Sequence, residues 1–178
     1  SEEAAEYDPD EVVEFEDSKF QALTLYYDKN NDGKLQAWEA ALVTELELSG
    51  QSIKSLRGIE YFTELESLNC TSNLLTSLDV TNNRKLRALW CKSNRIVSLD
   101  VTPLRDLQIL NCESNRLTSL DVSQNTELVH LLCGMNNGAM TDDDGITKID
   151  VSNNPKLETL SVYYLNLSEL DVTNNPSL

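Results

Sequence analysis

The sequence is poor in aromatic side chains, at 6% of its 178 residues, and it carries one histidine, His130. A core must therefore be packed by aliphatic residues, and the 40% apolar content is enough for one. A single histidine excludes paired-imidazole sites of the H-E-x-x-H kind, and no G-x-S-x-G nucleophile turn occurs. Basic residues are scarce too, with 14 Lys and Arg against 30 Asp and Glu, a formal net charge of −16. Nucleic acid and anionic membrane surfaces both demand clustered Lys and Arg, so neither is an expected partner. No apolar run reaches the ~18 residues that an integral membrane span needs. What the chain has in quantity is leucine, asparagine and acid, at regular intervals.

The four cysteines reveal the period. Cys70, Cys91, Cys112 and Cys133 follow one another every 21 residues. Each sits in the frame L-x-x-L-x-C-x-x-N, as in Leu65, Leu68, Cys70 and Asn73, which is the signature of a leucine-rich repeat. A divergent first turn runs through Val43, Leu46, Leu48 and Ile53, and a last one through Leu157, Leu160, Val162, Leu165 and Leu167. The expected fold is thus an α/β repeat: about six turns over 43–178, mostly parallel strands and little helix. Each turn ends in S-L-D-V-[ST], whose alternation predicts a second short parallel strand per turn. Between Leu128 and Leu157 the spacing grows to 29, and the excess forms an insertion loop at 137–145. Asp142, Asp143 and Asp144 in that loop are read as solvated, with a second cation site as the alternative.

The columns have physical readings. Four cysteines along a line roughly 15 Å long at strand spacing cannot share one zinc ion. Parallel Cβ vectors aim poorly for disulfides, so the column is read as small buried hydrophobes. The inward asparagines Asn73, Asn94, Asn115 and Asn136 are expected to satisfy backbone groups stranded at each bend and to link successive turns. The outward acids Asp79, Asp100, Asp121, Asp150 and Asp171 are expected to cap the following turns locally.

Asp28–Glu39 reads D-K-N-N-D-G-K-L-Q-A-W-E and matches the calcium loop D-x-[DN]-x-[DN]-G-x5-E at every defined position. Calcium takes hard oxygen ligands at alternate loop positions. Asp28, Asn30 and Asp32 would offer side-chain oxygens, Lys34 its carbonyl and Gln36 a water-mediated contact, with Glu39 closing the site bidentately. Ser18 to Tyr27 reads as an entering helix with Ser18 near its N-cap, and Ala37 to Leu42 as a short exit helix. An EF-hand-like helical cap is therefore expected over 18–42. It would shield the first repeat's apolar edge, and Ca2+ would serve to stabilise it. Residues 1–17 hold nine acids and are expected to be a disordered leader.

The repeats, with S-I-K-S-L-R-G-I-E-Y-F in the first of them and the D-x-N-x-D-G cap before it, resemble bacterial cell-surface leucine-rich-repeat proteins of the internalin-related type. The resemblance covers about residues 17–178. It implies export and display at the cell surface, as a lipoprotein or similar, with the signal segment missing from this chain and the leader as tether. It also implies a binding or adhesion role rather than catalysis, and it names no ligand.

Outward positions of the frame carry the candidate partner site. Trp90, Ile109, His130, Leu132, Tyr163 and Tyr164 are costly on a purely structural face, and aromatic residues are enriched at binding hot spots. The expected function is non-enzymatic extracellular recognition of a protein or glycan. Alternatives are a spacer or self-associating surface protein that stacks through its open C-terminal edge, and more remotely a hydrolase of a surface polymer. Lys92 beside Glu113 reads as a surface ion pair worth under ~1 kcal/mol.

Overall fold

The computed structural model describes residues 3–139 and 143–178; residues 1–2 and 140–142, including Asp142 of the loop triplet, lie outside the described residues. Two short helices precede the repeats, α1 (Ser18–Thr24) and α2 (Ala37–Ala40). The N-cap of α1 falls one residue earlier than the sequence suggests. Asp17 accepts hydrogen bonds from the Lys19 and Phe20 N–H groups at 2.8 and 3.1 Å, and from Lys54 N–H in the first repeat at 2.7 Å. A carboxylate that serves both helix and repeat outcompetes a serine hydroxyl. Phe20 on α1 is fully buried and lies 6.3 Å, ring to ring, from the equally buried Phe62, which seats the cap on the first turns.

Six three-residue strands follow: β1 (Glu45–Glu47), β2 (Ser67–Asn69), β3 (Ala88–Trp90), β4 (Ile109–Asn111), β5 (His130–Leu132) and β6 (Thr159–Ser161). They form one parallel sheet in chain order, and residues of equal repeat position lie opposite one another. The central leucines Leu46, Leu68, Leu89, Leu110 and Leu131 are buried and Leu160 is half-buried. Strand neighbours on either side of each leucine face outward, as period two requires.

The second strand expected in each turn does not form. Leu78 and Val80, Leu99 and Val101, Leu120 and Val122, and Ile149 and Val151 are buried without any ladder. The intervening acid bonds locally at the end of each such stretch. Asp79, Asp100, Asp121, Asp150 and Asp171 each accept the N–H two residues ahead at 2.9–3.0 Å. That amide is spent in a local turn and is lost to inter-turn pairing.

Asparagine does the linking instead. The Asn115 amide donates to Cys91 and Cys112 carbonyls at 3.0 and 3.1 Å, while its Oδ1 accepts from Ile96 N–H at 3.1 Å. Asn73, Asn94 and Asn136 repeat this pattern. A second column, Asn83, Asn125, Asn154 and Asn175, was not legible as such in the sequence. Each of these donates to two carbonyls of earlier turns, and none has a protein partner for its buried Oδ1. Leu104 takes the corresponding place in one turn. The cysteines stack beneath the sheet, free and buried, and burial pushes the Cys91 and Cys112 thiols well above their ordinary pKa.

The leader differs from expectation over residues 5–17. Val13 is buried and donates its N–H to Leu35 O at 2.8 Å, and Val12 forms an antiparallel bridge with Gln36. Tyr7 stacks on Tyr61 with centroids 4.0 Å apart, Phe15 meets Phe20 edge-on, and Ala5 N–H donates to Asn82 Oδ1 at 2.6 Å. Three apolar side chains at Tyr7, Val13 and Phe15, with the backbone bridge at Val12, hold this short acidic strap on the cap and first turns, although composition alone argues for disorder. At the other end of the sheet Leu170 and Val172 are exposed, whereas their counterparts Leu120 and Val122 are buried.

Candidate recognition face and candidate calcium loop

Register alignment places the predicted face residues in two rows across the sheet. Ser67, Ala88, Ile109, His130 and Thr159 form one row, and Asn69, Trp90, Asn111, Leu132 and Ser161 the other. Trp90, Ile109, His130 and Leu132 are half-buried by their neighbours, whereas Tyr163 is 43% and Tyr164 71% exposed. The six residues therefore do share one surface of the sheet and the turn that follows it. They form a partly covered apolar floor with two exposed tyrosines at its end, packed edge to face at 5.7 Å.

The turn after each strand imposes a further constraint. Gly50, Ser72, Ser93, Ser114, Met135 and Tyr164 occupy one column, and all have φ between 50° and 64°. Left-handed backbone suits glycine, while a residue with a Cβ pays roughly 1–2 kcal/mol there. Met135 and Tyr164 are thus held in strained backbone side by side, in the same region as the exposed aromatic pair. Strain of this kind concentrates where side chains must be presented. The signal available in the sequence was the run of Gly and Ser in that column, broken at its last two members.

Gly134 explains the pose of Tyr163. A Cβ at Gly134 would lie 2.6 Å from Tyr163 Cδ1 and 2.7 Å from Tyr163 O, so the tyrosine crosses directly over the glycine. On the far side of Gly134 in the same column is Glu113, which the sequence reading treated as half of a surface ion pair. It is instead 4% exposed. Lys92 Nζ stands 3.8 Å from Glu113 Oε1, and Ser161 Oγ 3.4 Å from Oε2. Partial burial and the nearby Glu113 carboxylate raise the Tyr163 phenol above its ordinary pKa.

The loop at Asp28–Glu39 brings some of its six expected ligands together. Asp32 N–H lies 3.3 Å from both Asp28 Oδ1 and Asn30 Oδ1, and Gly33 donates its N–H to Asp28 Oδ2 at 2.9 Å. Asp32 Oδ1 accepts from Lys34 N–H at 2.9 Å, and Oδ2 from the Gln36 amide at 2.6 Å, contacts that hold the Asp32 carboxyl below the usual carboxylate range. Gly33, at φ +82, supplies the sharp turn the motif demands. Glu39 is fully buried and spends its oxygens on the N–H groups of Lys29, Asn30 and Gln36. Among the described residues no three His, Cys, Asp or Glu side chains gather as a metal cluster. The donor set is nonetheless all oxygen, so the residues present fit calcium in kind, with Glu39 exchanging its N–H partners for the metal if it closes the site.

No protein-family model and no curated protein matches the chain. Solved structures do. The functional domain of InlJ from Listeria monocytogenes, which includes a cysteine ladder, is 37% identical over 82% of this chain and 35% of its own, with a TM-score of 0.64. An internalin, InlF, of the same organism is 25% identical over 90% of this chain and 46% of its own, at 0.74. The leucine-rich-repeat ectodomain of a plant membrane receptor kinase from Arabidopsis thaliana, solved in complex with a Casparian strip integrity factor, is 27% identical over 75% of this chain and 17% of its own, at 0.62. The chain thus spans less than half the length of each of these proteins. With its single parallel sheet, stacked asparagines and buried cysteine column, this protein has the leucine-rich-repeat solenoid fold and in that fold is similar to internalins of Listeria monocytogenes.

Proposed function

We propose that the chain is a non-enzymatic recognition module, displayed outside the cell, which binds a protein partner on the face formed by Trp90, Ile109, His130, Leu132, Tyr163 and Tyr164. The observation that carries this reading is the exposed Tyr163–Tyr164 pair, with Tyr164 in left-handed backbone, at the edge of an apolar floor. Exposed aromatics offer large contact area with few rotors to freeze, and strain maintained at a surface calls for a use. Among the described residues no helix is long and apolar enough to cross a membrane. Anchoring by lipid, and a glycan as the bound partner, belong to the same reading as variants of it.

The experiment is a binding screen of host proteins and glycans against the chain and its Trp90→Ala/Tyr163→Ala double variant. Loss of at least ~100-fold in affinity is expected if both are hot-spot residues. Undiminished binding by the double variant, with its melting curve unchanged, would refute the assignment of the face. Calcium enters this reading as a stabiliser of the cap, held by Asp28, Asn30, Asp32, Lys34, Gln36 and Glu39, and it touches no partner. Self-association is the alternative reading, and sedimentation of the purified chain across a concentration series separates the two.

A further inference from the structure

Glu113 is the one acidic side chain of the sheet face that is withdrawn from solvent, at 4% exposure. Five residues ring it. Asn111 precedes it on β4, Lys92 and Gly134 flank it in the neighbouring turns, and Ser161 and Tyr163 approach from β6 and the turn beyond. A carboxylate offers about four acceptor positions. Here they meet the Ser161 hydroxyl at 3.4 Å and the Lys92 ammonium at 3.8 Å, both long against the ~2.7–2.9 Å of a charge-assisted bond, together with a hydrogen bond from the Tyr163 phenol. Lys92 is itself 42% exposed and strongly hydrated, so it screens the carboxylate without saturating it. Trp90 and Leu132 stand on the strands either side of Asn111, in register with it, and Tyr163 lies across Gly134.

Building on the recognition face proposed above, we propose that Glu113 receives an arginine side chain of the protein partner. The guanidinium is planar, forks its donors to match a carboxylate and stacks on aromatic rings, so it suits a recessed acid flanked by Tyr163 better than an ammonium does. The overall charge of −16 draws a basic segment to this protein, and the recessed socket then selects one residue of that segment. Lys92 occupies the approach in the free protein and swings into solvent when the guanidinium enters. Glu113 is therefore a specificity-determining residue, while the aromatic and apolar side chains around it exclude water.

The test uses the whole chain, isotope-labelled, titrated with N-acetyl-arginine methylamide and with its neutral isostere N-acetyl-citrulline methylamide, read by amide chemical shifts. Saturable shifts at Asn111, Glu113, Gly134 and Tyr163 are expected with arginine and not with citrulline. Glu113→Gln, which keeps size and shape, should weaken arginine binding by about tenfold or more, as loss of a charge-assisted contact does. Lys92→Met should strengthen it several-fold, an effect no purely structural role for Glu113 would produce. Equal shifts with both probes, shifts centred on the Asp79–Asp171 column, no shifts at all, or insensitivity to Glu113→Gln in a protein of unchanged spectrum would overturn the inference. Equal shifts on the face overturn the arginine socket and leave the recognition face standing; shifts confined to other surfaces count against both.

Discussion

Replacing Asn115 with alanine removes one rung of the asparagine ladder, and its cost follows from which backbone groups lose their only partner. Ile96 N–H is buried and donates to Asn115 Oδ1 at 3.1 Å, so it is orphaned outright, at about 1–3 kcal/mol. The carbonyls of Cys91 and Cys112 lose one donor each but keep another, from Asn94 and Asn136. Each lost bond of that kind contributes about 0.5–1.5 kcal/mol. The expected destabilisation is therefore about 2–6 kcal/mol, from one orphaned donor and these two weakened acceptors, the longer 3.2 Å contact to Glu113 O being backed by Ser93 N–H. Asn125 provides the control. It donates to Val101 and Leu104 carbonyls that keep backbone donors from Leu104 and Leu107, and its Oδ1 holds no partner. Asn125→Ala should cost only about 1–3 kcal/mol, because no donor is stranded. Urea unfolding of both variants, with exchange rates of the Ile96 amide, tests the reasoning. It fails if Asn125→Ala is the costlier change, or if exchange at Ile96 is not accelerated in Asn115→Ala.

Three further outcomes are expected. If the Asp28–Glu39 loop holds calcium, the metal at 100 times its dissociation constant adds about 2.7 kcal/mol, so excess chelator should lower the melting temperature while the circular dichroism of the repeats survives; an identical melt with and without chelator would remove the metal from the cap. Burial raises the Asp17 pKa, but the N–H groups of Lys54, Phe20 and Lys19 outweigh it and hold the carboxyl low. Its contribution is then present above the unfolded value of about 4 and lost as pH falls through the depressed folded value, so Asp17→Ala should cost ~1–2 kcal/mol at pH 7 and progressively less in acid, by urea melts across pH. Thiol-reactive dye should leave Cys70, Cys91, Cys112 and Cys133 untouched in the native chain, since burial pushes Cys70 and Cys133 up to about 12, and should label all four in urea; rapid native labelling would contradict a packed column.

The sequence by itself determined the repeat. Its 21-residue period, the leucine pairs, the cysteine column and the Asn73–Asn136 column are one-dimensional features, because in a solenoid each turn contacts only its neighbours and the register follows the spacing. The local capping by Asp79, Asp100, Asp121, Asp150 and Asp171 was legible for the same reason, since it spans two residues. The tertiary structure decided whatever depends on two distant stretches competing for one surface. The acidic strap binds the cap because Tyr7, Val13 and Phe15 meet apolar partners that no composition window can see. The second strands do not form, and in each of these turns the acid takes the amide two residues ahead in a local turn. Glu113 became a recessed acid through a missing side chain at Gly134 and through Tyr163, two turns away, which crosses over the gap beside Ser161. Burial of a single outward residue is a property of the neighbouring turns, and it is set by packing across the stack, not by position within the repeat.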